Sequence, residues 1–152
     1  MLRISKLTDY GAVILACLAS QADRLRTAAE VAERTRVGLP TVSKLLKKLQ
    51  RSGLVTSTRG SHGGYQRACP PGEISAARIL DALEGPFAIT ECSGQHSNCG
   101  IESNCRVGHV WQRVNGAIRR ALTDITLAQM AGLERISSTN VPLTKLIRVS
   151  HE

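Results

Sequence analysis

Aromatic side chains are almost missing from this chain: Tyr10, Tyr65, Phe87 and Trp111 are all that its 152 residues hold. A core built without them must come from Leu, Ile, Val and Ala, which suits packed helices. No apolar run approaches the roughly 20 residues needed to cross a bilayer. Arg3 and Lys6 precede a short apolar stretch, but Asp9 and Tyr10 interrupt it and no small-residue cleavage site follows. A secretory leader is therefore not expected, and the chain should reside in the cytoplasm, where thiols stay reduced. There is no CxxC pair, no glycine-rich cofactor loop after a strand and no convincing Ser–His–Asp set, so catalysis is not expected.

What is present begins with charge. The formal net charge is +8. Residues 1–70 carry 12 Lys+Arg against 4 Asp+Glu, a net of +8, and residues 71–152 carry 8 of each. The whole excess lies in the first half. Clustered cations facing phosphates are rewarded by counterion release, which points to a polyanion partner for that half. An apolar fraction of 42% argues against wholesale disorder, and the length suits one domain, or a small domain with an extension.

Along the chain, Leu7, Tyr10, Ile14, Leu15 and Leu18 repeat at the spacing of one buried helical face. Thr27-Ala-Ala-Glu30 is a capping box that opens a second helix ending near Thr35 or Arg36. Val37-Gly38-Leu39 then turns the chain, and Pro40 suits the start of a third helix. Val42, Leu45, Leu46 and Leu49 form the inward stripe of that helix, and Gly53 caps its C-terminus. Its outward residues are Thr41, Ser43, Lys44, Lys47, Lys48 and Arg51. Helix, glycine-containing turn and basic second helix make a helix-turn-helix. Two short β-rich runs, 54–58 and 65–68, flank Arg59-Gly60-Ser61-His62-Gly63-Gly64. That is a slim hairpin wing whose Arg59, beside Gly60, can enter a minor groove. His62 at its tip reads as an exposed loop histidine.

Ser75 can cap a fourth helix carrying Ile79, Leu80 and Leu83, which Gly85-Pro86 stops. From Val107 to Ala131 apolar residues recur every three or four positions: Val107, Val110, Trp111, Val114, Ile118, Ala121, Leu122, Ile125 and Ala128. That length suits a dimerisation helix; use in the intramolecular core is the alternative. The expected architecture is mainly α with a small β-hairpin wing. Residues 1–86 form a winged helix-turn-helix domain, 87–106 a cysteine-rich loop, 107–131 the dimerisation helix and 132–152 a tail.

Cys92, Cys99 and Cys105 crowd this loop, and thiolates on a loop can close around a metal without bending a helix. Soft sulfur donors select iron–sulfur clusters or zinc, with four-coordination the norm, so three thiolates leave one position open. Cys17, among Leu15 and Leu18, reads as a buried thiol, and Cys69, where the wing ends, as structural or incidental.

The sequence is similar to the Rrf family of winged-helix transcription regulators, with its IscR-like, NsrR-like and SUF-operon members. Carriers of the resemblance are Leu7-Thr8-Asp9-Tyr10, Arg59-Gly60 with Gly63-Gly64-Tyr65, Ile79 through Glu84-Gly85-Pro86, and Ala88-Ile89-Thr90-Glu91-Cys92. It covers residues 1 to about 131, and Met1 through Tyr10 is most similar to the SUF-operon regulators. The resemblance implies a homodimer on a palindromic operator of double-stranded DNA. It also implies a [2Fe-2S] or [4Fe-4S] cluster on Cys92, Cys99 and Cys105, with Asp9 or His109 as fourth ligand. His96, inside the loop, is a weaker candidate. Two departures stand out. Six residues separate Cys92 from Cys99 where better-known members have five, and His109 follows Cys105 by four positions where IscR-like members have three. A sensor of the same fold working through zinc, thiol oxidation or nitric oxide is the alternative reading.

Overall fold

The computed structural model describes residues 3–20, 24–90, 93 and 105–135. Ser5 caps the first helix, α1 (Lys6–Ala19), by accepting the Thr8 amide at 3.2 Å. Ile14, Leu15 and Leu18 face the core as expected, but Leu7 is 46% exposed. Thr8 takes the inward place in the first turn because its hydroxyl donates to the Glu84 carboxylate at 2.7 Å.

The Thr27 capping box forms in both directions, with Thr27 N–H donating to Glu30 at 2.8 Å and Glu30 N–H to Thr27 at 3.2 Å. It starts α2 (Ala28–Thr35), which ends at Arg36 in the left-handed region. α3 (Leu39–Arg51) carries Pro40 in its first turn and buries Val42, Leu45, Leu46 and Leu49. Its C-terminus closes as a Schellman motif, Gly53 N–H to Gln50 O and Leu54 N–H to Leu49 O, both at 3.0 Å. Gly53, at φ 72°, supplies the left-handed residue this needs.

The wing is the antiparallel pair β1 (Val55–Thr58) and β2 (Gly64–Arg67), registered Val55 with Arg67 and Thr58 with Gly64. Arg26, ahead of α2, adds a third short edge by exchanging two backbone hydrogen bonds with Tyr65 at 2.9 and 2.7 Å. The approach is close enough that a Cβ on Gly64 would lie 2.8 Å from the Arg26 carbonyl oxygen. Glycine is therefore required there.

After a 3-10 turn (Pro71–Glu73), Ser75 caps α4 (Ala76–Glu84), which buries Ile79, Leu80 and Leu83 and stops at Gly85. Leu83 lies on the bare backbone of Gly11; a Cβ added there would fall inside the leucine side chain. α5 (Gly108–Asp124) follows.

The single helix expected over 107–131 is not what forms. Ile125 turns extended, and Thr126 starts a short α6 (Leu127–Met130) with its own capping box to Gln129. Leu127 and Ala128 are buried beside α1, in the same core as α3 and α4. Backbone hydrogen bonds from Leu127 to Ile74 (2.7 Å) and from Ala76 to Ile125 (2.8 Å) hold the break. Apolar spacing of three and four serves a dimer seam and a core equally, and the capping box decides the local backbone. Among the described residues no helix is long and apolar enough to cross a membrane.

Two outcomes test this packing. Leu127→Ala should cost about 2–5 kcal/mol in urea unfolding, the penalty of a cavity in a shared core; a loss below about 0.5 kcal/mol would make α6 an appendage. Glu84 holds its proton less tightly than an ordinary carboxyl because the Thr8 hydroxyl and then the Ser5 amide donate to it. Its contribution is thus present above the ordinary pKa of 4.5 and lost as pH falls through the lower folded value. Acid titration of stability should show this loss in the parent and not in Glu84→Gln.

Candidate nucleic-acid interface and metal centre

α3 presents Lys44, Lys47 and Arg51 to solvent, with Thr41 and Ser43 half-buried beside them. None of these cations takes part in the two salt bridges found among the described residues, Arg24–Glu30 and Arg119–Asp81. Lys48 is exposed on α3 as well, one turn after Lys44. Its ammonium donates to the Leu83 carbonyl at 2.5 Å, on the last turn of α4, where the helix dipole favours a cation. The outward position was legible in the helical phase; the reach of a four-carbon stem to another helix was not.

A cleft of about 460 Å³ separates α3 from the wing, and Lys47, Gln50, Ser57, Thr58 and Arg59 are among its lining residues. Gln50 donates to the Ser57 hydroxyl at 2.8 Å, fastening the wing strand to the basic helix. Neither residue stood out in the sequence, although Gln50 lies three positions after Lys47 on the same outer face. Arg59 and His62 are exposed at the hairpin end, and Gly60 takes φ 115°. The result is a convex basic helix with an arginine-bearing hairpin at its side. Such a surface can meet a major groove and the neighbouring minor groove together.

The cysteine-bearing half is partly described. Cys92, Cys99 and His96 lie outside the described residues. Cys105 is a half-buried free thiol three positions before α5 begins, its sulfur 3.8 Å from where a Cβ on Gly108 would stand. His109 is exposed on the first turn of α5 and Asp9 on the first turn of α1. Among the described residues no three His, Cys, Asp or Glu side chains form a metal-binding group. The donor set itself, three thiols within fourteen residues, fits a thiophilic centre. Cys17 is half-buried on α1, less enclosed than expected, and Cys69 is half-buried against the core.

α5 exposes an apolar stripe of Val107, Val110, Trp111 and Val114, at 58, 57, 41 and 37%. Farther along, Arg119 grips Asp81 of α4 through two hydrogen bonds of 3.1 and 2.6 Å. Asp81 holds the guanidinium, raising its pKa further above an already high value. α5 is thereby joined to α4, and α4 to the basic helix through Lys48.

A family model, Rrf2, described as an iron-dependent transcriptional regulator, matches residues 4–132. A Haemophilus influenzae protein named as an HTH-type transcriptional regulator is 32% identical over 108 residues, 71% of each chain. The solved structure of CymR, the global cysteine regulator of B. subtilis, matches at TM-score 0.68 and 27% identity, covering 88% of this chain and 99% of that one. T. potens IscR matches at TM-score 0.66 and 28% identity, covering 90% and 93%. The helical body, the two-stranded wing and these matches agree: the chain is a winged-helix transcriptional regulator, not an enzyme, and belongs to the Rrf2 family.

Proposed function

We propose that this regulator binds a palindromic operator as a homodimer, under control of an iron–sulfur cluster, and governs SUF-type cluster-assembly genes. The observation that carries the reading is the free Cys105 thiol leading directly into α5, with Cys92 and Cys99 in the segment before it. Membership in a family described as iron-dependent supports it, as does the likeness to IscR.

The cluster would be held by Cys92, Cys99 and Cys105, with Asp9 or His109 completing the set. When bound, it supplies a centre that oxygen, nitric oxide or iron loss can dismantle. A carboxylate or imidazole in the fourth position holds iron less firmly than a thiolate and leaves the centre more open to attack. The chain's own residues do the rest. Lys44, Lys47 and Arg51, with Thr41 and Ser43, meet the major groove, and Arg59 with Gly60 reaches the minor groove. Lys48 serves instead as the tie between the recognition helix and α4. The exposed stripe of Val107, Val110, Trp111 and Val114 supplies the homodimer contact, setting two recognition helices roughly 34 Å apart.

A second reading stands on the equally good likeness to CymR, a regulator named for cysteine and not for iron. In it the same loop works through zinc or thiol oxidation. Anaerobic purification with a visible spectrum and iron and sulfide analysis separates the two. Matched iron and sulfide in a brown protein is the expected result, and Cys105→Ser should remain a folded dimer without it. Colourless protein under those conditions would favour the second reading.

On DNA, Lys47→Ala should lower the salt slope of log K by about one unit without changing sequence preference. Arg59→Ala should weaken binding through the wing. Unchanged operator affinity for both at fixed salt would remove the cleft from the interface.

A further inference from the structure

On β1 the core holds only the base of the wing. Leu54 and Val55 are buried, whereas Thr56, Ser57 and Thr58 are all exposed. Backbone bonding fixes the same end: Leu54 N–H donates to the Leu49 carbonyl at 3.0 Å, and Ala68 N–H to the Leu54 carbonyl at 2.9 Å. A two-stranded ribbon has little stability of its own, so the place of its outer half depends on ties made beyond Val55.

Two such ties fall on one rung. Ser57 stands opposite Tyr65 in the strand register. Tyr65 rests half-buried against the core and exchanges backbone hydrogen bonds with Arg26 on the far edge of β2. One anchored strand leaves the outer ribbon able to roll about it. The second tie, on the other strand, opposes that roll: the Ser57 hydroxyl accepts from Gln50 Nε2 at 2.8 Å. Gln50 itself lies one turn after Lys47 on α3, beside Arg51.

Past this rung the hairpin end is closed. Gly63 N–H donates to the Gly60 carbonyl at 3.0 Å, and a Cβ added at Gly63 would fall against the Thr58 carbonyl. Arg59 is two residues beyond Ser57, about 7 Å along a strand. The place of Ser57 therefore carries over to Arg59.

We propose that Gln50 is the positioning residue of the wing: its hydrogen bond to Ser57 sets the separation of Arg59 from the basic helix, so that major- and minor-groove contacts form together. A wing already in place meets the second groove without a cost of ordering on binding. The proposal rests on the reading of α3 and the wing as the DNA interface.

The test uses the full-length protein and a duplex that the parent recovers from a random-sequence library at fixed salt. Gln50→Ala and Ser57→Ala should each weaken binding to that duplex about three- to tenfold, the scale of one hydrogen bond. The double variant should bind no worse than the weaker single one, because both changes remove the same bond. In the Gln50→Ala background, Arg59→Ala should cost less than roughly half the fold-loss it causes in the parent, since an unpositioned wing has less to lose. Without DNA, backbone order parameters of Arg59 and Gly60 from NMR relaxation should fall in both single variants, while melting stays within about 3 °C of the parent.

A loss in Gln50→Ala with none in Ser57→Ala would make Gln50 a direct DNA contact and overturn the proposal. Additive losses, unchanged binding in both variants, or an Arg59 effect of equal size in the two backgrounds would overturn it as well. A parent that recovers no duplex, or one indifferent to both Lys47→Ala and Arg59→Ala, defeats the interface reading and this proposal with it. The order parameters would then still report whether the bond holds the wing.

Discussion

The fold turns on the contact between Leu83 and Gly11. Because residue 11 has no side chain, α4 can press against α1 with only backbone between them. That closeness brings Glu84 within reach of Ser5 N–H and the Thr8 hydroxyl, and the Leu83 carbonyl within reach of Lys48. One short helix therefore touches the start of α1, the basic helix α3 and, through Asp81, the helix α5. A side chain at position 11 would have to displace the Leu83 methyls for α4 to keep this place, since the interior is close-packed.

Local signals in the sequence were sufficient for the winged-helix body. Thr27 with Glu30, Pro40, Gly53 and Ser75 each carry their own instruction to the backbone, and each acts within four residues. The stop after Asp124 was also written locally, as Thr126 and Gln129, but the apolar period ran through it. Period alone cannot say whether a stripe faces a partner or the chain's own core, and here it does both in turn. Val107 to Val114 is exposed, while Leu127 and Ala128 are enclosed.

Long-range polar partners were not legible at all. Asn115 meets residues 22 and 26 positions away, and Lys48 meets one 35 away. Glu84 finds Thr8 across 76 residues. No spacing rule reaches so far; these pairs exist because the fold brings them together. The Lys48 and Glu84 pairs join the half of the chain that carries the excess charge to the half that carries the three clustered cysteines.

The fate of Leu127 has one further consequence. With Ile125 and Leu127 bonded to Ala76 and Ile74, the C-terminal end of α5 is pinned to the winged-helix body. The helix is then a lever about 26 Å long with its pivot at that end. The end next to Cys105 is the one farthest from that anchor, and a tilt of a few degrees would amount there to roughly 1–2 Å, the scale on which helices shift at switching interfaces. The Arg119–Asp81 bridge lies between pivot and tip, so the same tilt arrives at α4 scaled down by its distance from the pivot.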